Sequence, residues 1–399
     1  MIKPFQYLYR KLLENHYLGY DLILLGVTAL LTLGGLLMIY SASSPMADRL
    51  HGSSLYLLRS HLLHLGLGLL AMWVAMRIPY ARWQQWAPYA LLAAFALLIL
   101  VLIPGIGYQV GGARRWLHLG PLSFQPTELL KLVLIVYVAS YLNRKPGMVA
   151  QFFRGMLPNF TVMGVFLALV VLEPDFGTMV LIAMTLLLMI FVGGARPGHI
   201  LASLIGFGVI GAWLVASQSY RLRRVFAFLD PWGDPLNSGF QIVQSYLAFG
   251  NGGVFGVGLG DSRQKLFFLP DAHTDFIFSI VGEELGLIGV LAAMLLFACF
   301  LWRGYRICLA AEEDFGRYLA YGITTLFTLQ ILLNLAVVMG LMPTKGLPLP
   351  FVSYGGSSLL GSLFMTGVLL NIGRRAARLG PAEGPGLAGA GLASAPARR

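Results

Sequence analysis

Residues 86–104 read WAPYALLAAFALLILVLIP, a run with no charged side chain. Wound as an α-helix it is roughly 28 Å long, close to the ~30 Å of hydrocarbon in a bilayer. Residues 20–40, 276–302 and 317–341 are similar runs with almost no charge. Only 11% of the 399 residues are charged and 57% are apolar, whereas a soluble domain carries about 25% charge. The deficit excludes disorder, a nucleic-acid-binding tail and an ordinary soluble globule. The chain reads as an all-α polytopic membrane protein.

Ten spans are expected, at about 20–40, 62–78, 86–104, 127–142, 158–173, 177–194, 199–217, 276–302, 317–341 and 355–373. With both termini inside, 17 of the 28 Lys and Arg fall on the cytoplasmic side, 10 fall outside and Lys131 lies within a span. Basic residues stay preferentially inside, which sets this orientation. Of the 17 acids, 11 lie outside or within spans, and that acidic outer face points to chemistry there. No cleavable signal peptide is visible, and the first apolar run is long enough to remain as a span. Cys299 and Cys308 sit near the inner end of one span without metal-ligand spacing. Residues 1–380 form one membrane domain, followed by a Gly/Ala/Pro-rich disordered tail at 381–399.

The connections are short except for 218–275, a large outer loop between spans 7 and 8. Its ordered sequence features, including an amphipathic piece near Gln241–Phe249, indicate a folded element on the membrane. Structureless loops beyond about 15 residues are unusual in compact domains. No internal repeat supports an inverted-repeat transporter.

Ionisable side chains at membrane depth are costly, so each calls for a reason. Glu128 and Lys131 stand three apart on one helix face, either as a structural ion pair or as part of a site. Glu173-Pro174-Asp175 occupies the turn between spans 5 and 6, where it either orients the turn or holds a cation. Glu283 and Glu284 lie two turns into span 8. Asp275 stands where the long loop becomes span 8, either capping the helix or serving as a general base. Arg114 with Arg115, the Arg221, Arg223 and Arg224 cluster, and Lys345 are outer cations. They are either solvated or set to hold phosphates through charge-assisted hydrogen bonds. The glycine run 250–260 does not fit dinucleotide-binding spacing. It reads as a close-packed flexible loop or, less simply, a backbone nest. No zinc signature, Ser/His/Asp triad or phosphate-binding loop is present.

Six outer motifs, in order along the chain, carry a family resemblance. They are Gly112-Ala113-Arg114-Arg115-Trp116; Gln125-Pro126-Thr127-Glu128-Leu129-Leu130-Lys131; Glu173-Pro174-Asp175-Phe176-Gly177-Thr178; Leu269-Pro270-Asp271-Ala272-His273-Thr274-Asp275-Phe276; Gly282-Glu283-Glu284-Leu285-Gly286; and Pro343-Thr344-Lys345-Gly346 with Ser353-Tyr354-Gly355-Gly356-Ser357-Ser358. Together they resemble the SEDS family of cell-wall polymerases that includes RodA and FtsW, and more the division-type than the elongation-type branch. One departure is Phe267, where some division-type members carry an acid; its role would pass to Asp271.

The resemblance implies a peptidoglycan glycosyltransferase that polymerises lipid II on the outer face of the cytoplasmic (inner) membrane, at the division septum. The growing glycan strand is the donor and lipid II the acceptor. It implies Asp275 as the catalytic carboxylate, with Arg114, Arg115, Arg221, Lys345, His273, Ser353 and Ser357 toward the substrate. Glu128, Lys131, Glu173, Asp175, Asp271 and Glu283 stand in support. A divalent cation, Mg or Mn, is compatible with the pyrophosphate, though no spacing demands one. The implied partners are a single-pass class B penicillin-binding protein transpeptidase and other divisome membrane proteins, with the transpeptidase helix expected against Val290–Leu296 and Ile323–Leu333. The rival readings are a lipid II flippase, with Glu128, Lys131, Glu283 and Glu284 lining a polar path, and a non-catalytic division scaffold.

Overall fold

In a computed structural model the chain is described over residues 20–379, apart from positions 111, 121 and 267. The expected tail, the N-terminal residues 1–19 and Phe267 lie outside the described residues. The helices are α1 (Leu22–His51), α2 (Tyr56–Arg77), α3 (Ala81–Leu102), α4 (Pro126–Arg144), α5 (Leu157–Leu172), α6 (Phe176–Val192), α7 (Pro197–Ala216), α8 (Ser219–Leu229), α9 (Phe240–Gly252), α10 (Ile277–Ala310), α11 (Asp314–Val338) and α12 (Gly356–Leu379). Among the described residues, eight helical segments are long and apolar enough to cross a membrane. These are α1–α3, α5 with its preceding π turn, α7 and α10–α12. The protein is therefore a polytopic helical membrane protein. The other two expected spans are also helical, but α6 is only 17 residues long and α4 carries Glu128, Lys131 and Arg144.

Two features add to the sequence reading. The short connection at 107–124 folds into a small antiparallel sheet of β1 (Gly107–Val110), β2 (Ala113–Leu119) and β3 (Leu122–Phe124), in the order β1-β2-β3. The expected span 8 is a broken helix. Gly286 takes φ 64° and ψ −163° inside α10, a conformation open essentially to glycine. The chain at 253–258 fills the break: Leu287 N–H donates to Gly253 O at 2.9 Å, while Val257 N–H donates to Glu283 O at 3.0 Å. Backbone freed inside a membrane protein must find such partners. The glycine run is thus packed against α10, because a Cβ at Gly256 would meet Glu284 O.

The helices differ in how they are covered. Helix α11 sits inside the bundle and α12 packs tightly on α2, where a Cβ on Gly367 would fall 2.5 Å from Met72 O. Small residues permit such close approach of helices in lipid. Helix α7 has no buried residue. The apolar faces expected to receive a partner helix differ as well. On α10, Leu287, Ile288, Leu291 and Leu295 are exposed, whereas on α11 Ile323, Leu326, Phe327 and Ile331 are buried and only Leu332 within 323–333 is exposed. The expectation for α11 is therefore corrected, since its uncharged run faces its own neighbours.

Candidate active site

The connections at one end of the bundle converge. They are the small sheet, the α5–α6 turn, α8, the turn before α10 and the strap 343–355 that leads into α12. Together they enclose a cavity of about 520 Å³. Arg115, Asp175, Arg221, Arg224, Asp271, Asp275 and Lys345 all line it. The site therefore holds four cations beside three carboxylates.

Local structure explains the α5–α6 side. Asp175 caps α6 by accepting from Thr178 N–H at 3.2 Å, a favoured use of Asp at a helix start. Arg115 Nε donates to Glu173 O at 3.0 Å and the same guanidinium donates to Pro174 O. Its Nη1 stands 3.9 Å from Asp175 Oδ2. Arg115 thus ties the sheet to the turn and contributes charge to the cavity. Glu173 is fully buried, and neither carboxylate oxygen has a hydrogen-bond partner among the described residues. Burial, reinforced by Asp175 and opposed by Arg115, pushes its pKa up to about 8.

Asp275 precedes α10 but does not cap it; the cap position is Phe276, with no side-chain capping bond. The capping alternative is therefore not what the carboxylate does. Its pKa is pushed up to about 7. Burial is the main cause, Asp271 and Asp175 add to it, and Arg224 and Arg115 oppose it. The strap runs directly over this carboxylate, since a Cβ on Gly346 would sit 3.3 Å from Asp275 Oδ2. Next along the strap is Lys345, whose ammonium makes no hydrogen bond or ion pair among the described residues. Burial pulls its pKa below the usual lysine value.

Arg224 donates to Thr344 O at 3.1 Å, and Arg221 donates to Leu214 O at 2.8 Å while standing 5.5 Å over the Phe176 ring. These contacts hold α8 across the mouth of the site. Arg114 does not line the cavity. It neighbours Arg115 on β2, and successive strand residues point to opposite faces.

Other residues singled out from the sequence support the site from behind. Ser357 Oγ accepts from Gln125 N–H at 3.0 Å and donates to Ser123 O at 3.1 Å. Ser353 Oγ accepts from Leu349 N–H at 2.8 Å. His273 contributes its carbonyl to Tyr354 N–H at 2.9 Å, and its ring lies 5.5 Å from that of Tyr354. Lys131 Nζ reaches Glu128 Oε1 at 2.8 Å and Gln330 Oε1 at 3.4 Å. Glu283 accepts from Ser262 Oγ and from Gln264 N–H, while Glu284 pairs with Lys265 at 2.9 Å and Ser41. These acids serve internal contacts and do not line the cavity. Among the described residues no group of three or more His, Cys, Asp or Glu is arranged to hold a metal.

The family model for FtsW, RodA and SpoVE, described as cell cycle protein, matches residues 21–378. The chain belongs to the FtsW/RodA/SpoVE family. It is 47% identical over 356 residues to the probable peptidoglycan glycosyltransferase FtsW of Geobacter metallireducens, covering 89% of this chain and 95% of that one. It is 45% identical over 356 residues to stage V sporulation protein E of Bacillus subtilis, covering 89% and 97%. Among solved structures it resembles a chain of a peptidoglycan synthase complex that coordinates polymerization and crosslinking. That likeness has a TM-score of 0.73 and 30% identity, over 90% of this chain and 99% of that one. The Thermus thermophilus rod shape determining protein RodA matches with a TM-score of 0.67 and 30% identity, over 90% and 98%.

Sequence reasoning passed over two residues that hold the strap of this FtsW/RodA/SpoVE site. Gln330 and Asn334 had no signal of their own, because amides in an apolar helix acquire meaning only when the strap is laid against them.

Proposed function

We propose that this family member is a peptidoglycan glycosyltransferase that polymerises lipid II into glycan strands, with Asp275 as the proton acceptor. The observation that carries the reading is the cavity, which sets a carboxylate of raised pKa among four cations. The relatives named peptidoglycan glycosyltransferases support the class of reaction.

In the proposed step, the acceptor's GlcNAc 4-hydroxyl attacks the anomeric carbon of the growing strand, and the C–O bond to the polyprenyl pyrophosphate breaks. The hydroxyl proton passes to Asp275, and the leaving pyrophosphate carries away the electron pair. Proton transfer to a positioned carboxylate typically contributes ~10²–10⁴-fold. Lys345, Arg221, Arg224 and Arg115 face the same space, and charge-assisted bonds suit a pyrophosphate. Arg114, on the other side of β2, leaves that role to Arg115. A divalent cation would enter with the pyrophosphate, since the described side chains alone form no cage for one.

The proposed setting is the inner membrane at the division septum, with ten spans, both termini in the cytoplasm and the cavity outside. The partner is a single-pass class B penicillin-binding protein, its helix resting on the exposed apolar face of α10 at Ile288, Leu291 and Leu295. Against a flippase, Glu128 pairs with Lys131, Glu284 with Lys265, and Glu283 accepts from Ser262 and Gln264, so these acids are engaged in internal contacts. Reconstituting the purified protein with lipid II, with and without the transpeptidase, tests the reading. Glycan strands on a gel are the expected product; lipid II moved across the vesicle membrane without polymer would favour transport.

A further inference from the structure

The strap has no regular secondary structure from Pro343 to Leu349, and Pro343, Pro348 and Pro350 interrupt it. Leu347 and Leu349 are buried, so the carbonyls around them need donors from elsewhere. Helix α11 provides two, one turn apart. Gln330 Nε2 donates to Pro348 O at 2.8 Å, and Asn334 Nδ2 donates to Leu347 O at 2.7 Å. The Asn334 amide does more. The same Nδ2 reaches Asp275 O at 2.9 Å.

One buried nitrogen therefore ties the backbone of Asp275 to the backbone two residues from Lys345. We infer that Asn334 is a positioning residue, which fixes the proton-accepting carboxylate and the Lys345 ammonium at one separation. This inference rests on the reading of Asp275 given above.

The residue type fits the task. A primary amide offers two N–H donors on a single atom. Aspartate would offer none and leucine would leave both carbonyls unsatisfied. Asn334 is almost fully buried, and its Oδ1 has no hydrogen-bond partner among the described residues, so the side chain is held for its donors. Gln330 is the built-in comparison, because it grips the strap without touching Asp275. Its own oxygen faces Lys131.

The test compares Asn334→Leu with Gln330→Leu in the full-length protein, reconstituted with lipid II. Initial rates are measured against substrate concentration and pH. The groups acting on the Asp275 carboxylate are Asp271 of its own turn, Asp175 of the α5–α6 turn, Arg115 of β2 and Arg224 of α8, with Lys345 in the same cavity. None of them is altered by either substitution.

Displacement of a reacting group by about 1 Å costs on the order of 100-fold. Asn334→Leu should lower kcat by that factor with little change in KM, and the acid limb of its pH profile should move toward the ordinary carboxylate range as the turn loosens. Gln330→Leu should leave that limb in place. A folded Asn334→Leu protein with wild-type kcat and an unmoved limb overturns the inference, as does the same limb shift in both variants. Should Asn334→Leu not fold, Asn334→Ser keeps one donor. A smaller kcat loss with a moved limb then supports the inference, and an unmoved limb overturns it. Asp275→Asn runs alongside. If that variant polymerises normally, the reading of Asp275 has failed; if it is inactive while the Asn334 variants behave as wild type, only the positioning role has failed.

Discussion

Gly346→Ala should change the pH dependence of the reaction without unfolding the protein. The added methyl would lie 3.3 Å from Asp275 Oδ2, so the carboxylate must yield by a few tenths of an ångström or lose the space beside it. Gly346 does not occupy the left-handed region, and alanine is therefore accepted by the backbone. The methyl displaces polar surroundings from a carboxylate already pushed up to about 7 by burial. Further desolvation favours the neutral acid and raises the pKa again. A rise of about one unit would lower the ionised fraction at pH 7 from about one half to about one tenth, a loss of roughly fivefold. At pH 9 both proteins would be almost fully ionised, and the rates should converge. The assay is the initial rate of lipid II polymerisation between pH 6 and pH 9, on the order of one point per half unit. A loss of equal size at every pH, or no loss at all, would refute the reasoning.

Three further outcomes follow from the same geometry. Glu128→Gln should destabilise the protein by about 3–5 kcal/mol in a detergent melt, because it strands the buried Lys131 ammonium, and a Glu128→Gln/Lys131→Met double variant should recover most of the loss. Lys345→Ala should cut polymerisation by roughly 10–100-fold, the worth of a charge-assisted bond, with an unchanged melting temperature; wild-type rates would remove Lys345 from the site. For Glu173 the folded pKa of about 8 lies above the unfolded value of 4.5, so its contribution to stability is fully present below 4.5 and is lost as pH rises through 8. Glu173→Gln should accordingly melt higher than wild type at alkaline pH, with the difference shrinking as the pH falls; a constant difference would contradict this.

Much of the architecture was legible because the lipid solvent imposes it. A run such as 86–104 has few alternatives to a spanning helix, and the long loop announced itself by length. The break at Gly286 was not legible, since its partner is the glycine run some thirty residues earlier and no local pattern links the two. The sheet at 107–124 is short, with a bulge between Tyr108 and Gln109, and its alternation is too brief to register. Within the site, charge made Asp275, Arg115, Arg221 and Lys345 visible, while strand alternation separates Arg115 from Arg114 only once β2 is known to be a strand. Ser353 and Ser357 stood out by their motif, and the structure commits their hydroxyls to the backbone. Asn334 was invisible for the opposite reason: an amide in an apolar helix has many bland uses, and only the two carbonyls it meets distinguish this one.

The central claim is that the Asp275 carboxylate accepts the proton of the attacking hydroxyl, and the most direct measurement is polymerisation of lipid II by Asp275→Asn. The substitution is nearly isosteric and removes the basic oxygen while leaving the main-chain carbonyl that Asn334 holds. The account predicts a protein that folds, keeps its melting temperature and polymerises ~10²–10⁴-fold more slowly than wild type. Glycan strands made by Asp275→Asn at close to the wild-type rate would contradict it, and would send the search for the proton acceptor to Glu173 and Asp175.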